Sequence, residues 1–340
     1  MLNHRRLGRT GLEVPLLGFG GIPIMRITPQ EATEVIGEAL RQGITFIDTA
    51  RGYGDSEAKI GQALKTHGAD VVLASKSPRR DGKGMLEDFR KSLSDLGRDT
   101  IAIYQLHCVN TEEDYAKAMA AGGAYQTLEE QRSQGKVGFI GITSHNLSII
   151  RKATISDRFD TIQLLYNLVE HEAGAEIIPE AVERDVGVIA MKPLAGGCIK
   201  DFRVAIRYVL CTDGVVAIPG MATVDEVRMN VKVASDPRPL SPAELQSLQS
   251  IREELGKRFC RRCDYCQPCP NDIPISLLLH IGSVRDRIGE SMMQTDFYRQ
   301  TLEKADKCDQ CGECEERCPF DLPVRDLISE AREALREVLR

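Results

Sequence analysis

Eight short runs rich in apolar and β-branched residues punctuate the first 235 or so residues, and stretches with helical spacing lie between them. The runs are VPLLGFGG, ITFIDTA, DVVLASKS, TIAIYQLHC, VGFIGITSH, TIQLLYNL, VGVIAMKPL and GVVAIPGM. The intervening segments TPQEATEVIGEALRQG (28–43), SEAKIGQALKTHG (56–68) and MLEDFRKSLSDLG (85–97) place apolar residues three and four apart. A strand that is apolar along nearly its whole length must be covered on both faces, the condition of a parallel sheet enclosed by helices. Eight β/α units in this length match a (β/α)8 TIM barrel in the α/β class. An open doubly wound sheet is the alternative, and the lack of a G-x-G-x-x-G run after the first strand counts against it.

Thiols divide the chain. Of 11 cysteines, Cys108, Cys198 and Cys211 are scattered and read as packed thiols, while eight lie between Cys260 and Cys318. They form two runs, Cys260-x2-Cys263-x2-Cys266-x2-Cys269-Pro270 and Cys308-x2-Cys311-x2-Cys314-x3-Cys318-Pro319. Three thiolates two residues apart wrap the corners of a cubane, and in two-cluster ferredoxins the fourth, before proline, ligates the other cluster. The spacing predicts two [4Fe-4S] clusters, one on Cys260, Cys263, Cys266 and Cys318, the other on Cys308, Cys311, Cys314 and Cys269. Structural zinc is the alternative, but zinc usually pairs two separated C-x2-C knuckles. The first run departs from ferredoxin spacing by one residue before Cys269.

The thiol asymmetry predicts a barrel over 1–235, a linker over 236–258 and a mostly helical iron-sulfur domain over 259–340. Where barrel meets linker, SDPRPL from residue 235 reads as a turn, Ser241 as an N-cap, and the following 15 or so residues as an amphipathic helix. ISLLLHIGSVRDRIG and VRDLISEAREALREVLR read as helices of the tail. Apart from the cysteine run itself, no repeat stands out.

Lys+Arg 44 against Asp+Glu 50 gives a formal charge of -6, the wrong sign for a general nucleic-acid binder, which needs cations to displace counterions. The N-terminus has no apolar core like that of a signal peptide, and no stretch approaches the length of a membrane span. The expectation is a cytoplasmic protein whose partners include neither nucleic acid nor membrane. Oligomeric state is not readable.

Four ionisable residues fall at strand ends or just beyond, on the face where barrels carry chemistry. These are Asp48, Tyr53, Lys76 and His107. A lysine ending an apolar strand needs a partner, which Asp48 supplies, and the resulting cation favours the phenolate of a nearby tyrosine. His107 is placed to hydrogen-bond a substrate carbonyl. The order Asp, Tyr, Lys, His, the YGDSE context, the QGKVGFIGITSHN run from 134, the QLLYN segment from 163 and IPGMATVDEVRMN together resemble the aldo-keto reductases over residues 5–235. With its tail the chain resembles a subgroup of that family fused to a ferredoxin-like domain.

The resemblance implies an oxidoreductase that reduces an aldehyde or ketone with NAD(P)H. It makes Tyr53 the general acid, tuned by Lys76 and Asp48, with His107 orienting the carbonyl. It also implies cofactor contacts from Gly20, Thr143, Ser144, Gln163, Met191, Lys192, Leu194, Gly196, Gly197, Gly220, Thr223 and Asn230. The helix N-terminus at 220–223 is then a natural anion site. Met191 stands where the family often has a stacking aromatic. Gly220, Met221 and Glu226, with Asp225 alongside, stand where NADPH-specific members place cations around the 2'-phosphate, so NADH is expected to serve at least as well as NADPH.

Hydride transfer moves two electrons and each cubane carries one, so the two halves leave three readings. One is a carbonyl reductase acting on a small-molecule carbonyl, with structural or regulatory clusters. Another is an electron-transfer oxidoreductase partnered by an electron-carrier protein. The third is an interaction protein whose barrel senses nucleotide, against which the intact tetrad argues. No flavin fingerprint is visible, yet FMN sites in barrels leave little trace in a sequence, so flavin stays among the cofactors considered.

Overall fold

The computed structural model describes residues 2–236 and 238–340, so Pro237 of the predicted turn lies outside the described residues. The chain divides into two compact units, 1–194 with 201–240, and 195–200 with 241–340.

In the first unit a hairpin of β1 (His4–Arg6) and β2 (Glu13–Pro15) precedes eight parallel strands. These are β3 (Phe19–Gly20), β4 (Phe46–Asp48), β5 (Val72–Ser77), β6 (Ile101–Leu106), β7 (Val137–Thr143), β8 (Thr161–Leu165), β9 (Gly187–Met191) and β10 (Val215–Ile218). Each pairs with its neighbour in chain order. Parallel bridges Leu17↔Ala217 and Gly20↔Gly220 bring the first and last strands together, so the sheet is a nearly closed TIM barrel, as expected. Gly20 sits on that seam, where an added Cβ would lie 2.6 Å from the Ile218 carbonyl oxygen. All eight apolar runs supply barrel strands.

The helices of this unit are α1 (Pro29–Arg41), α2 (Ser56–His67), α3 (Gly82–Leu96), α4 (Glu112–Met119), α5 (Ala124–Ser133), α6 (Leu147–Ile155), α7 (Ile177–Glu183), α8 (Phe202–Leu210) and α9 (Val224–Ala234). Helix α1 starts with a reciprocal capping box between Thr28 and Glu31 and has Pro29 in its first turn. Burial on both sides of the strands explains their unbroken apolar character. Outside them, Phe19, Ile47, Leu106 and Ile162 join helix residues such as Ile36 and Phe89 in one core. Inside the barrel, Phe46, Ala74, Ile103, Ile189 and Val216 pack with Leu7 and Val14 from the hairpin region. The hairpin closes the N-terminal end, where Arg5 donates to the carbonyls of Thr212 (2.8 Å) and Val215 (2.6 Å). Chemistry is thereby left to the opposite face.

The second unit contains α10 (Pro242–Gly256), α11 (Ile275–Leu278), α12 (Ile281–Ile288), α13 (Asp296–Ala305), α14 (Glu313–Glu316) and α15 (Val324–Val338), with no strand among its described residues. Ser241 caps α10 in a capping box with Glu244. ISLLLHIGSVRDRIG breaks into α11 and α12 at Leu279–His280. Helix α15 buries Val324, Leu327, Ile328, Ala331, Leu335 and Val338, a stripe at three-and-four spacing, against Ile273, Leu278 and Ile281. No helix among the described residues is long and apolar enough to cross a membrane.

Candidate functional site

Because the barrel strands run parallel, their C-terminal ends share one face, and the four expected residues meet there. Asp48 ends β4, Lys76 lies in β5, His107 follows β6, and Tyr53 sits in the turn between β4 and α2. The Lys76 ammonium donates to Asp48 Oδ1 at 2.5 Å and to the Thr49 carbonyl at 2.8 Å, with both ionisable side chains almost wholly buried. Burial raises the Asp48 carboxyl above its ordinary value, and the adjacent ammonium works against that rise. The same ammonium stands 5.2 Å from the centre of the Tyr53 ring. The His107 ring meets Tyr53 edge to face, with centroids 5.7 Å apart.

His107 is held well below its ordinary value, first by burial and then by the charges of Lys76, Arg80 and Lys192. It is therefore a neutral imidazole, and its buried Nδ1 has no hydrogen-bond partner among the described residues. The unfolded imidazole takes a proton near pH 6.5. On acidification below that value the unfolded chain binds the proton first, so this residue's contribution to stability is full above the unfolded value and is lost progressively as pH falls towards the folded one. Thermal unfolding of wild type and His107→Gln between about pH 7 and 5 checks the sign: the wild type is expected to lose stability more steeply.

Sequence reasoning missed several supporting residues. Gln105 donates to Asp48 Oδ2 (3.2 Å) and to Gln163 Oε1 (3.0 Å), extending the ion pair into an amide chain. Arg80 grips the carbonyls of His107 (3.0 Å) and Cys108 (2.8 Å), holding the turn that carries the imidazole. Arg51 bonds Asp95 at 2.8 Å and pairs with buried Glu57, fixing the loop that bears Tyr53. Gln105 lies within its strand two residues before His107, and only its partners show that it belongs to the site.

The other expected residues are placed as follows. The Thr143 hydroxyl accepts the Cys108 N–H (2.8 Å), and the Ser144 hydroxyl donates to Asn110 Oδ1 (3.1 Å). Met191 ends β9, and Lys192 follows in a left-handed conformation, φ 54°, with its carbonyl held by Asn167 Nδ2 at 3.1 Å. Lys192 Nζ lies 3.3 Å from His145 Nε2. Leu194 is half-buried, whereas Gly196 and Gly197 belong to the segment 195–200 that groups with the second unit. Asn230 is buried in α9.

At the N-terminus of α9 the anion site expected from 220–223 is filled by the chain itself. Glu226 Oε2 accepts the N–H groups of Ala222 (2.6 Å) and Thr223 (3.1 Å), while Thr223 caps the helix and Gly220 lies on the barrel seam. Arg228 is committed to Glu38, its Nε 2.8 Å from the carboxylate.

In the second unit the eight clustered cysteines border two cavities. One is lined by Cys260, Cys263, Cys266 and Cys318, with Leu279, Leu322 and Val324. The other is lined by Cys308, Cys311, Cys314, Cys269 and Cys266, with Ile273 and Ile328. The two runs repeat one backbone pattern. Arg262 and Asp264 in the first, Gln310 and Gly312 in the second, take left-handed conformations between the thiols. Beyond each Cys-Pro, Asp272 and Asp321 do the same, and each run then enters a helix through Ile-Pro-Ile or Leu-Pro-Val. The repeat is thus longer than the cysteine spacing alone. Gln267 accepts the Cys269 N–H (2.8 Å) and donates to the Ile273 carbonyl (2.8 Å), anchoring that cysteine.

Burial pushes the Cys260 thiol up to about 11 and the Cys266 thiol up to about 12. Such groups stay protonated as bare thiols, and as thiolates they need a positive centre between them. The donor set, all sulfur and set beside apolar side chains such as Leu279, Ile273 and Ile328, therefore fits iron-sulfur clusters. Cys108 is likewise pushed up by burial. Cys211 is exposed and donates to the Arg238 carbonyl.

A model of the aldo/keto reductase family matches residues 16–204, and a 4Fe-4S dicluster domain model matches 259–323. The oxidoreductase YrpG of Bacillus subtilis, itself uncharacterized, is 32% identical over 228 residues, covering 58% of this chain and 68% of its own. L-galactose dehydrogenase of Arabidopsis thaliana is 30% identical over 218 residues, covering 58% and 67%. Among solved structures, aldo-keto reductase AKR11C1 from Bacillus halodurans superposes with a TM-score of 0.64 at 25% identity, covering 74% of this chain and 96% of that one.

Proposed function

The chain belongs to the aldo/keto reductase family and carries a 4Fe-4S dicluster domain in its C-terminal region, and from that premise we propose that it reduces a small aldehyde or ketone with a nicotinamide cofactor. The observation that carries this reading is the buried Lys76–Asp48 pair beside Tyr53, with neutral His107 against the tyrosine ring. We take 1–235 as the reductase domain, 236–258 as the connection and 259–340 as the cluster domain.

When bound, a reduced nicotinamide would supply the hydride to the carbonyl carbon. Tyr53 donates its phenolic proton to the carbonyl oxygen as negative charge develops there. Lys76 stabilises the resulting phenolate, and Asp48, backed by Gln105, keeps that ammonium in place. His107, kept neutral by burial and by the surrounding cations, orients the carbonyl by donating an N–H without adding a charge to the site.

The donors at the strand ends and on α9 fit a dinucleotide. Lys192 offers a cation to the diphosphate, and Thr143, Ser144, Gln163 and Asn230 offer polar groups. Glu226 and Asp225 set the preference, since carboxylates at the head of α9 repel a 2'-phosphate. The expected result of a binding titration is that NADH binds at least as tightly as NADPH, and a clear NADPH preference would falsify this assignment. Oxidation of NADH by the anaerobic protein, followed over a panel of aldehydes and ketones, tests the activity itself.

In the cluster domain Cys260, Cys263, Cys266 and Cys318 would hold one [4Fe-4S] cluster and Cys308, Cys311, Cys314 and Cys269 the other, in keeping with the cavities they line. These cavities support a second reading, electron exchange with an external one-electron carrier. That reading requires turnover with a reduced carrier in the absence of nicotinamide.

A further inference from the structure

We propose that the two cysteine cavities are electrostatically unequal: the cluster bordered by Cys260, Cys263, Cys266 and Cys318 has the higher reduction potential and receives an electron from the other. The inference rests on the reading of the eight cysteines as ligands of two clusters. Its basis is the side chains that share the cysteine loops. The first run carries Arg261 and Arg262 against the single carboxylate of Asp264, while the second carries Asp309, Glu313, Glu315 and Glu316 against Arg317.

The two arginines of the first run are held in place near its cysteines. Arg261 lines the first cavity, its guanidinium 4.0 Å over the ring of Phe320, which lines the same cavity. The Arg262 N–H donates to Cys260 Sγ (3.4 Å), and its guanidinium lies 3.0 Å from His280 Nδ1. His280 Nε2 in turn lies 2.7 Å from the Cys260 carbonyl oxygen. In the second run Glu313 is paired with Arg317, and Glu315 with Arg325 at 2.8 Å. Asp309 and Glu316 have no ion-pair partner among the described residues, and Asp309 lines the second cavity. Its carboxylate accepts the Cys311 N–H at 3.2 Å.

Adding an electron adds a negative charge, which nearby guanidiniums stabilise and nearby carboxylates oppose. Solvent acts in the other direction, because Cys311 is exposed and water raises a cluster's potential. Charge prevails at the first cavity: the half-buried Arg261 borders it, where salt screens less than at the exposed Asp309 bordering the second. Cys266 and Ile275 line both cavities, giving the two a common wall through which an electron can pass. With both clusters held, a low-potential one-electron donor would reduce the cluster of the second cavity, which would be reoxidised as its electron passed to that of the first. No bond or proton changes.

The test is stepwise potentiometric reduction of the full anaerobic chain, followed by electron paramagnetic resonance and accompanied by iron analysis. Two separate reduction steps are expected. The pair Asp309→Asn and Glu316→Gln should raise only the lower step, narrowing the gap; Arg261→Gln with Arg262→Gln should lower only the upper one. A single step, or carboxylate variants that move the upper step, overturns the proposal while leaving two clusters in place. Iron well short of about eight atoms per chain instead overturns the two-cluster reading, and the inference with it.

Discussion

Replacing Tyr53 by phenylalanine is expected to cut carbonyl reduction by about 10²- to 10⁴-fold, the usual contribution of a positioned proton donor. The ring stays, so its edge-to-face contact with His107 and its place beside Lys76 are preserved, and only the hydroxyl is lost. Nucleotide affinity, measured by titration, should be unchanged, as should the visible absorbance of the cluster domain. A variant that turns over aldehyde at the wild-type rate would remove Tyr53 from the mechanism, and the tetrad would have to be read as a relic in a nucleotide-binding barrel.

The second large effect is on stability. Lys76→Met leaves the Asp48 carboxylate buried without its cation, and breaking such a pair typically costs about 3–5 kcal/mol. The chain has no tryptophan, so far-UV circular dichroism in a urea series is the suitable probe of the barrel. The sign with pH is distinctive. A carboxyl whose folded pKa is raised binds its proton more readily in the folded state, so the variant should recover stability as pH falls through that raised value. Adding Asp48→Asn should return part of the loss at neutral pH, since a neutral amide leaves no unpaired charge. If Lys76→Met unfolds at the wild-type urea concentration, the pair is not the structural support described here.

The barrel strands were legible because burial on both faces imposes a nearly unbroken apolar run, a pattern with few competing explanations. The N-terminal hairpin was not: its strands are three residues each, and β1 reads His-Arg-Arg, too short and too charged to show alternation. The tetrad could be placed because parallel strands end on a common face, so one residue type per strand end suffices. Gln105 and Arg80 escaped because an amide in an apolar strand and an arginine in a loop carry no chemical signature until their partners are known.

The head of α9 reads as an anion site, and the same sequence, Thr-Val-Asp-Glu, spells a capping box. Helix capping and anion binding use the same N–H groups, and here Glu226 takes them. In the cysteine domain the spacing was read as far as Cys-Pro. The matching Asn-Asp-Ile-Pro and Phe-Asp-Leu-Pro that follow were equally visible, and they mark the left-handed turn that leads each run into its helix.

The way each cavity draws cysteines from both runs sets a timetable for the growing polypeptide. When the first run leaves the ribosome, three thiols of its own cavity are present but Cys318 has yet to be translated, and at about 5–20 residues per second that gap lasts several seconds. During this interval the early thiols are open to oxygen and to zinc, which also favours sulfur ligands. Neither cavity has its full lining until the second run is made, so metallation belongs to the completed chain, and a ribosome stalled between the runs leaves a product with thiols but no finished site.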